Sequence, residues 1–473
     1  MNFQSLSFLL FLAVTVPACL AVGRKNRAAA LWLLLLGCGV FYCSAFDRRA
    51  LGGFGVLLGG ALVTRAAITA PRPARGLYLT AVCWHVGILL WYKCAGFIDP
   101  TLYHGWMPLG LSFFTFQQLW LLAECWRGNF SLREEGWGEL LLYGFFFPSV
   151  TSGPILKPQT FFPQLRGDAF LRPDEKDISA ALYAISLGMA KKVLLADPLG
   201  TVVSNGWAMT ESLSAPGAWI VMLAYTLQLY LDFSGYCDIA TGCARLFGIR
   251  LPVNFDSPYR SLSVTEFWKR WHITLTSFLR ECLYFPLGGS RKGAARAYLN
   301  ILIVFLVSGF WHGAGWTFIV WGGLHGLAQI AERMWGKGRA ALPKGLQWLL
   351  TFFFVNLAWV FFRAPSMAVA GEMFSAAVSG GWGLPLEALA SGVLDSEVTA
   401  IGTVLPALDG AMPGLILAAL LGIGLVVSLW PKNTIQKMEE FRPNAGTAVV
   451  CGVLLVWAIL SFSSVATFIY SNF

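Results

Sequence analysis

The chain has 473 residues, 56% of them hydrophobic and 12% charged, with a mean hydropathy of +0.63. An ordinary soluble domain carries about 25% charged residues, so this composition excludes a soluble globular protein and points to an all-α polytopic membrane protein. The formal net charge of +9 does not signal nucleic-acid binding, because the basic residues sit in short loops between apolar runs, as the positive-inside bias requires.

Apolar segments long enough for helices open the chain at roughly 4–22, 28–46, 51–70, 76–97 and 108–126. A span needs about 20 residues to cross ~30 Å of hydrocarbon. No charged region precedes Leu6–Leu12 and no small-residue cleavage site comes after it, so the first run reads as a retained helix, not a cleaved signal. The loops at Arg24, Lys25 and Arg27 and from Arg65 to Arg75 are basic, whereas Asp47, Arg48 and Arg49 carry less net charge and 98–107 almost none. That alternation puts the N-terminus outside and the basic loops in the cytoplasm. Ten cysteines, mostly inside apolar runs, form no CxxC pair and no Cys/His cluster; they read as small buried hydrophobes, neither a disulfide frame nor a metal site.

The segment Glu139 to Val150 is too short to span, and Pro148, Gly153 and Pro154 interrupt the backbone at its end. A half-helix or re-entrant turn fits, and such backbone at membrane depth must be buried in protein or line a cavity; the plainer alternative is an interfacial loop. Residues 157–177 read as a polar surface loop. Further helices are expected over 178–197, 217–232, 235–249, 264–287, 297–313, 315–335, 345–363, 414–430 and 447–470, with an acidic, Gly/Pro-rich extracytoplasmic loop at 379–412. No internal repeat breaks the chain, so one membrane domain covers 1–473.

Polar groups inside this pattern are the functional candidates, because ionisable residues at membrane depth are costly. Asp232 and Tyr236 share a helical face. Asp238 has Arg245 two turns on as a structural partner, while Asp232 has no local cation and reads as a cavity-facing group. In Trp268–Lys269–Arg270–Trp271–His272 the helical period puts Trp268, Trp271 and His272 on one face, with Lys269 and Arg270 elsewhere. Leu287–Gly288–Gly289–Ser290–Arg291–Lys292–Gly293 lacks the strand and glycine spacing of a phosphate loop and reads as a basic cytoplasmic turn.

The densest signal is Ser308–Gly309–Phe310–Trp311–His312–Gly313–Ala314–Gly315–Trp316. If the basic turn marks the inner surface, His312 lies ~24 Å from Arg296 along an upright helix, deep in the bilayer. Its glycines leave room for a second molecule or let the helix loosen; the plainer reading is a histidine hydrogen-bonded between helices. Burial disfavours the charged form of an imidazole, and neutral imidazole is the form in which a general base starts. His85 and His325 read as packed or pore-lining groups, and His104 lies in a loop.

These stretches come in a familiar order. Pro108–Leu109–Gly110–Leu111–Ser112–Phe113–Phe114–Thr115–Phe116–Gln117, Ser152–Gly153–Pro154–Ile155, Asp232–Phe233–Ser234–Gly235–Tyr236, Asn254–Phe255–Asp256–Ser257–Pro258–Tyr259, Phe267–Trp268–Lys269–Arg270–Trp271–His272, Tyr284–Phe285–Pro286–Leu287–Gly288–Gly289 and Trp311–His312–Gly313 together resemble the membrane-bound O-acyltransferase superfamily. The similarity is to its bacterial polysaccharide O-acetylation branch, and Phe468–Phe473 resembles that branch's C-terminal tail. The resemblance implies about 11 transmembrane helices plus re-entrant and interfacial helices around a central pore, with the catalytic core roughly at 100–335.

It further implies His312 as the membrane-embedded catalytic histidine and His272 as its second polar position. Asp232, Tyr236, Ser152, Trp311, Trp316, Trp271 and Gln117 are the expected substrate or pore residues. The implied donor is cytosolic acetyl-CoA, with Lys191, Lys192, Lys269, Arg270, Arg291 and Lys292 as candidates for its phosphates. Also implied are a place in the bacterial inner membrane, an extracytoplasmic SGNH-type partner enzyme and an exopolysaccharide such as alginate or cellulose as acceptor, with no metal. D-alanyl transfer to a cell-wall polymer, a secondary transporter and an export scaffold are the competing readings.

Overall fold

The computed structural model describes residues 1–44, 48–69, 74–99, 106–131 and 136–464. Asp47, His104 and the tail Phe468–Phe473 lie outside the described residues. Five helices open the chain: α1 Leu6–Lys25, α2 Arg27–Tyr42, α3 Arg48–Thr69, α4 Arg75–Ile98 and α5 Leu111–Trp126. Their starts reflect local chemistry. Ser5 and Asn26 accept the backbone N–H of Phe8 and Ala29, satisfying donors that the first turns of α1 and α2 leave open.

Three short pieces come next, α6 Trp137–Phe145, α7 Phe147–Val150 and α8 Pro158–Arg166. The helix is interrupted at Phe146, just before the expected break, and again over 151–157, where Gly153 and Pro154 were expected to break it; Phe146, Phe147 and Val150 are buried. The broken backbone is therefore enclosed by protein. Residues 157–177 are not merely a surface loop, because α8 turns Phe161, Phe162 and Leu165 into the core.

Beyond them, α9 Glu175–Met189 continues through a π-helical turn, Ala190–Ala196, into α10 Asp197–Ala208. The two helices expected over 217–249 are one, α11 Ala215–Leu246, of 32 residues. Gly235 does not interrupt it. A Cβ there would meet the Gly188 carbonyl oxygen at 2.9 Å, and one on Gly188 would meet the Gly235 oxygen at 2.6 Å. The glycines let α9 and α11 touch backbone to backbone, as in close membrane packing.

The helix expected over 264–287 is divided into α12 Val264–Arg270, α13 Ile273–Leu279 and a π-helical turn at Arg280–Tyr284. The break sits at His272, which has φ 44° and ψ 53°, a left-handed conformation uncommon outside glycine. Trp268, Trp271 and His272 thus do not lie on one continuous helical face. After the basic turn come α14 Ala294–His312 and α15 Trp316–Trp335, packed as an antiparallel pair. A Cβ on Gly309 would meet the Phe318 carbonyl oxygen at 2.3 Å, and one on Gly322 the Phe305 oxygen at 2.3 Å. Gly309 therefore admits a neighbouring helix, not a substrate.

The remainder is α16 Lys337–Ala340, α17 Lys344–Arg363, α18 Met367–Ser379, α19 Leu386–Ala390, α20 Asp395–Val404, α21 Met412–Ser428, α22 Thr434–Glu439 and α23 Ala445–Leu460. The segment 379–412 is more ordered than a loop, since it holds α19, α20 and a 3₁₀ turn at Pro406–Ala411. Among the described residues seven helices are long and apolar enough to cross a membrane and three more are shorter, against the eleven or so expected. In addition α11 has the length to span, although its sequence carries buried Asp232 and Asp238. This is a multi-pass, all-α membrane bundle.

Candidate active site

His312 closes α14. Its ring is 2% exposed and packs against Trp311 at 4.4 Å, Trp321 at 5.1 Å and Phe362 at 5.1 Å between ring centroids. A helix end carries partial negative charge on unsatisfied carbonyls. Lys93 of α4 answers it: its ammonium donates to the Trp311 carbonyl oxygen and lies 4.9 Å from the Trp311 ring centroid. Lys93 is a residue that sequence reasoning missed. The signal was present, a lone lysine in the apolar run Trp91–Tyr92–Lys93–Cys94.

His272 is fully buried, and the strained backbone there has identifiable supports. Ile273 N–H donates to the Asn254 carbonyl oxygen at 2.9 Å. The Asn254 side-chain Oδ1 accepts from Thr274 N–H at 3.3 Å and from the Thr274 hydroxyl at 2.9 Å. A backbone N–H can only donate, so that atom is the amide oxygen. The His272 Nδ1, 3.2 Å from the same oxygen, must then carry the proton. It follows that Nε2 holds the lone pair, and this buried atom has no hydrogen-bond partner among the described residues. Such a nitrogen accepts a proton or a hydroxyl hydrogen; as a neutral ring it cannot donate to an oxyanion.

A short aromatic chain links the neighbourhoods of the two histidines, from His272 through Phe113 to Trp311, which packs on His312. Phe113 of α5 stacks on His272 at 6.3 Å and meets Trp311 edge-on at 6.4 Å. One turn further along α5, Gln117 is buried with both side-chain polar atoms lacking partners, as are Trp311 Nε1 and Ser308 Oγ among the described residues. Buried polar groups are normally hydrogen-bonded, so this cluster of orphans marks a place built for water or substrate. The structure links His272, Trp311 and His312 through Phe113, and Gln117 lies one turn from Phe113 on α5. The predicted re-entrant turn also reaches this shell, through Ile155 N–H donating to Thr274 Oγ1 at 3.0 Å.

Other expected residues are elsewhere. Asp232 is not without a cation: it pairs with Lys192 at 2.7 Å, and Asp197 holds the same ammonium at 2.5 Å. Asp238 pairs with Lys191 at 2.6 Å, and Arg245 with Asp177 at 2.7 Å, so the expected Asp238–Arg245 pair does not form. The close α9–α11 contact supplies nearer partners than two turns of one helix. Lys192 is 1% exposed, which removes it from any cytosolic phosphate.

Tyr236 bonds Thr151 and stacks on Phe3 at 4.6 Å, and Ser152 Oγ donates to the Thr151 carbonyl oxygen at 2.7 Å. Trp271 packs on Trp359 at 5.1 Å. Trp316 is 66% exposed and faces away from the site. Arg270 is bound to Glu266 at 3.0 Å and Asp256 at 3.1 Å, whereas Lys269, Arg291 and Lys292 are exposed. His85 and His325 are packed, bonded to Thr64 at 2.8 Å and Trp268 at 3.1 Å.

A cleft of about 150 Å³ does approach the site, lined among others by Arg280, Tyr284, Arg333, Val304, Phe305 and Ser308. Arg280 and Arg333 lie toward the basic-turn end of α13 and α15, and Ser308 precedes His312 by one helical turn on the same face. None of the six basic residues expected from sequence lines this cleft. The fold and site define a multi-pass membrane protein with two buried histidines, His272 and His312, at its centre.

Comparison with known proteins gives that class its family. The profile of the membrane-bound O-acyltransferase family matches residues 78–373. The chain is 41% identical over 293 residues to a peptidoglycan O-acetyltransferase of Helicobacter pylori, covering 56% of this chain and 55% of that protein. It is 34% identical over 397 residues to a probable alginate O-acetylase of Pseudomonas fluorescens, covering 81% and 77%. A teichoic acid D-alanyltransferase of Streptococcus thermophilus is 29% identical over 252 residues, covering 50% and 59%. The chain spans about half the length of the first of these relatives. It belongs to the membrane-bound O-acyltransferase family and is an acyltransferase.

Proposed function

We propose that this protein takes an acetyl group from cytosolic acetyl-CoA and passes it across the bacterial inner membrane to hydroxyl groups of an extracytoplasmic polysaccharide, working with an SGNH-type partner. The observation that carries the reading is the cleft running from Arg280 and Arg333 to Ser308, beneath His312. Guanidinium groups suit phosphates, and the apolar walls at Val304 and Phe305 suit a slender thioester arm. The basic-turn end is the cytosolic side in this reading, which leaves the N-terminus outside.

In the reaction, His312 takes the proton of the acceptor hydroxyl as its oxygen attacks the thioester carbonyl carbon. The C–S bond breaks, and the sulfur leaves as a thiol after receiving that proton. Trp311 Nε1 and Gln117 Nε2, buried donors without partners, support the oxygen that gains charge. Each well-placed donor of this kind is worth about 10²–10³ in rate. His272 Nε2 orients the incoming hydroxyl by accepting its hydrogen bond. The peptidoglycan and alginate relatives favour acetyl over D-alanyl as the group moved.

Proteoliposomes with acetyl-labelled acetyl-CoA outside-in and inside-out test the donor. Label should leave CoA only when the basic-turn face meets the donor. Equal transfer from a D-alanyl carrier and none from acetyl-CoA would overturn the assignment.

A further inference from the structure

A second and larger pocket, of about 610 Å³, lies at the other end of the bundle. It is lined by Trp207 and Ser204 at the end of α10, by Thr210 and Glu211 beyond it, by Arg363 at the end of α17 and by Glu372 of α18. Ligand sites have volumes of about 300–1,000 Å³, so this one is of ordinary size for a small molecule or a few sugar units. One lining residue adjoins the His312 neighbourhood in sequence. Arg363 follows Phe362, whose ring lies edge-on to His312 at 5.1 Å.

Its charges are uncommitted. Among the described residues neither Glu211 nor Glu372 is in an ion pair, and Arg363 only lies over the Trp207 ring, 5.5 Å from its centroid. Two carboxylates and one guanidinium give the lining a formal charge of −1 (−2 + 1). Carboxylates are acceptor-only groups with several lone pairs each, and they suit clustered hydroxyl donors. The guanidinium supplies donors for ring or carbonyl oxygens, and the indole a flat apolar surface. That combination matches the surface of a sugar ring.

We propose that this pocket is the acceptor-side saccharide site, and that it selects uncharged sugar units over polyuronates such as alginate. The proposal rests on the acyl-transfer reading above for its role, not for its ligand. A uronate would bring its carboxylate against Glu211 and Glu372 and be repelled, the more so at low salt.

The test is direct binding to the purified full-length protein in lipid nanodiscs, by calorimetry, with cellotetraose and chitotetraose as neutral probes and tetramannuronate as the charged one. A neutral probe should bind, and tetramannuronate at least about tenfold more weakly in 50 mM salt. Trp207→Ala and the Glu211→Gln/Glu372→Gln pair should each weaken the neutral probe by about tenfold or more. His312→Ala should bind it like wild type, which separates this site from the chemistry: transfer by His312→Ala would sink the catalytic reading and leave the pocket standing. No neutral binding, equal binding by the double Gln variant, preference for tetramannuronate, or binding of only a basic peptide would each overturn the proposal.

Discussion

Replacing Gly309 by alanine tests how the site is held. The new Cβ would stand 2.3 Å from the Phe318 carbonyl oxygen, where ordinary contact begins at 3.4 Å. The α14–α15 pair must part by about 1 Å, because the obstacle is backbone and cannot rotate away. Overpacking of this kind costs about 1–3 kcal/mol, which a bundle of this size can absorb. His312 sits three residues on, in the next turn, and a misplacement of about 1 Å can lower a rate by about 10². Gly309→Ala should therefore accumulate in membranes at a reduced but substantial level and transfer acetyl about 10–100-fold more slowly per molecule. Gly323→Ala is the control, since its Cβ would meet only Leu306 at 3.9 Å. Acetyl content of the polymer, normalised to protein abundance, reads the effect. Gly309→Ala transferring at the wild-type rate would refute the claim that close α14–α15 packing positions the imidazole.

Four other outcomes rest on the same geometry. Lys192→Met should strand Asp197 and Asp232 as buried carboxylates and cost about 3–5 kcal/mol, seen as lost membrane protein, whereas Lys269→Ala on the surface should leave abundance unchanged. Asn254→Ala should free the His272 ring and orphan its Nδ1–H, lowering transfer about 10-fold to 100-fold at near-normal abundance, and normal transfer would argue against a fixed tautomer. Arg280→Ala and Arg333→Ala should raise KM for acetyl-CoA with kcat little changed, and a fall in kcat at constant KM would contradict a phosphate-binding role. Lys93→Met removes the cation at the end of α14, an interaction worth up to about 2 kcal/mol; its loss should lower the thermal midpoint of the purified protein, and an unchanged midpoint would remove Lys93 from the account.

The class of fold was legible because a bilayer enforces long apolar runs, and α14, α15 and α17 fall almost where those runs predicted them. His312 was legible for the same reason, as a polar ring at the end of one. Contacts between distant segments were not. Nothing near Asp232 in sequence announces Lys192, which a π-helical turn delivers from the neighbouring helix. The break at His272 was equally hidden, since Trp271–His272–Ile273 carries neither glycine nor proline; it is imposed by Asn254, eighteen residues earlier in the chain. Arg280 and Arg333 carry no local signal in sequence; only the packing of α13 and α15 puts them on one cleft. The unity of α11 was hidden too, since two helices were expected over 217–249; Gly235 within it lets α9 approach.

The most direct measurement is acetyl transfer by purified His312→Ala in proteoliposomes beside wild type, with folded protein quantified in both. The account predicts transfer reduced by at least about 10²–10⁴-fold in a variant that is still folded and still inserted. Wild-type transfer by that folded variant would contradict it, and the imidazole would then be a packing group between Trp321 and Phe362.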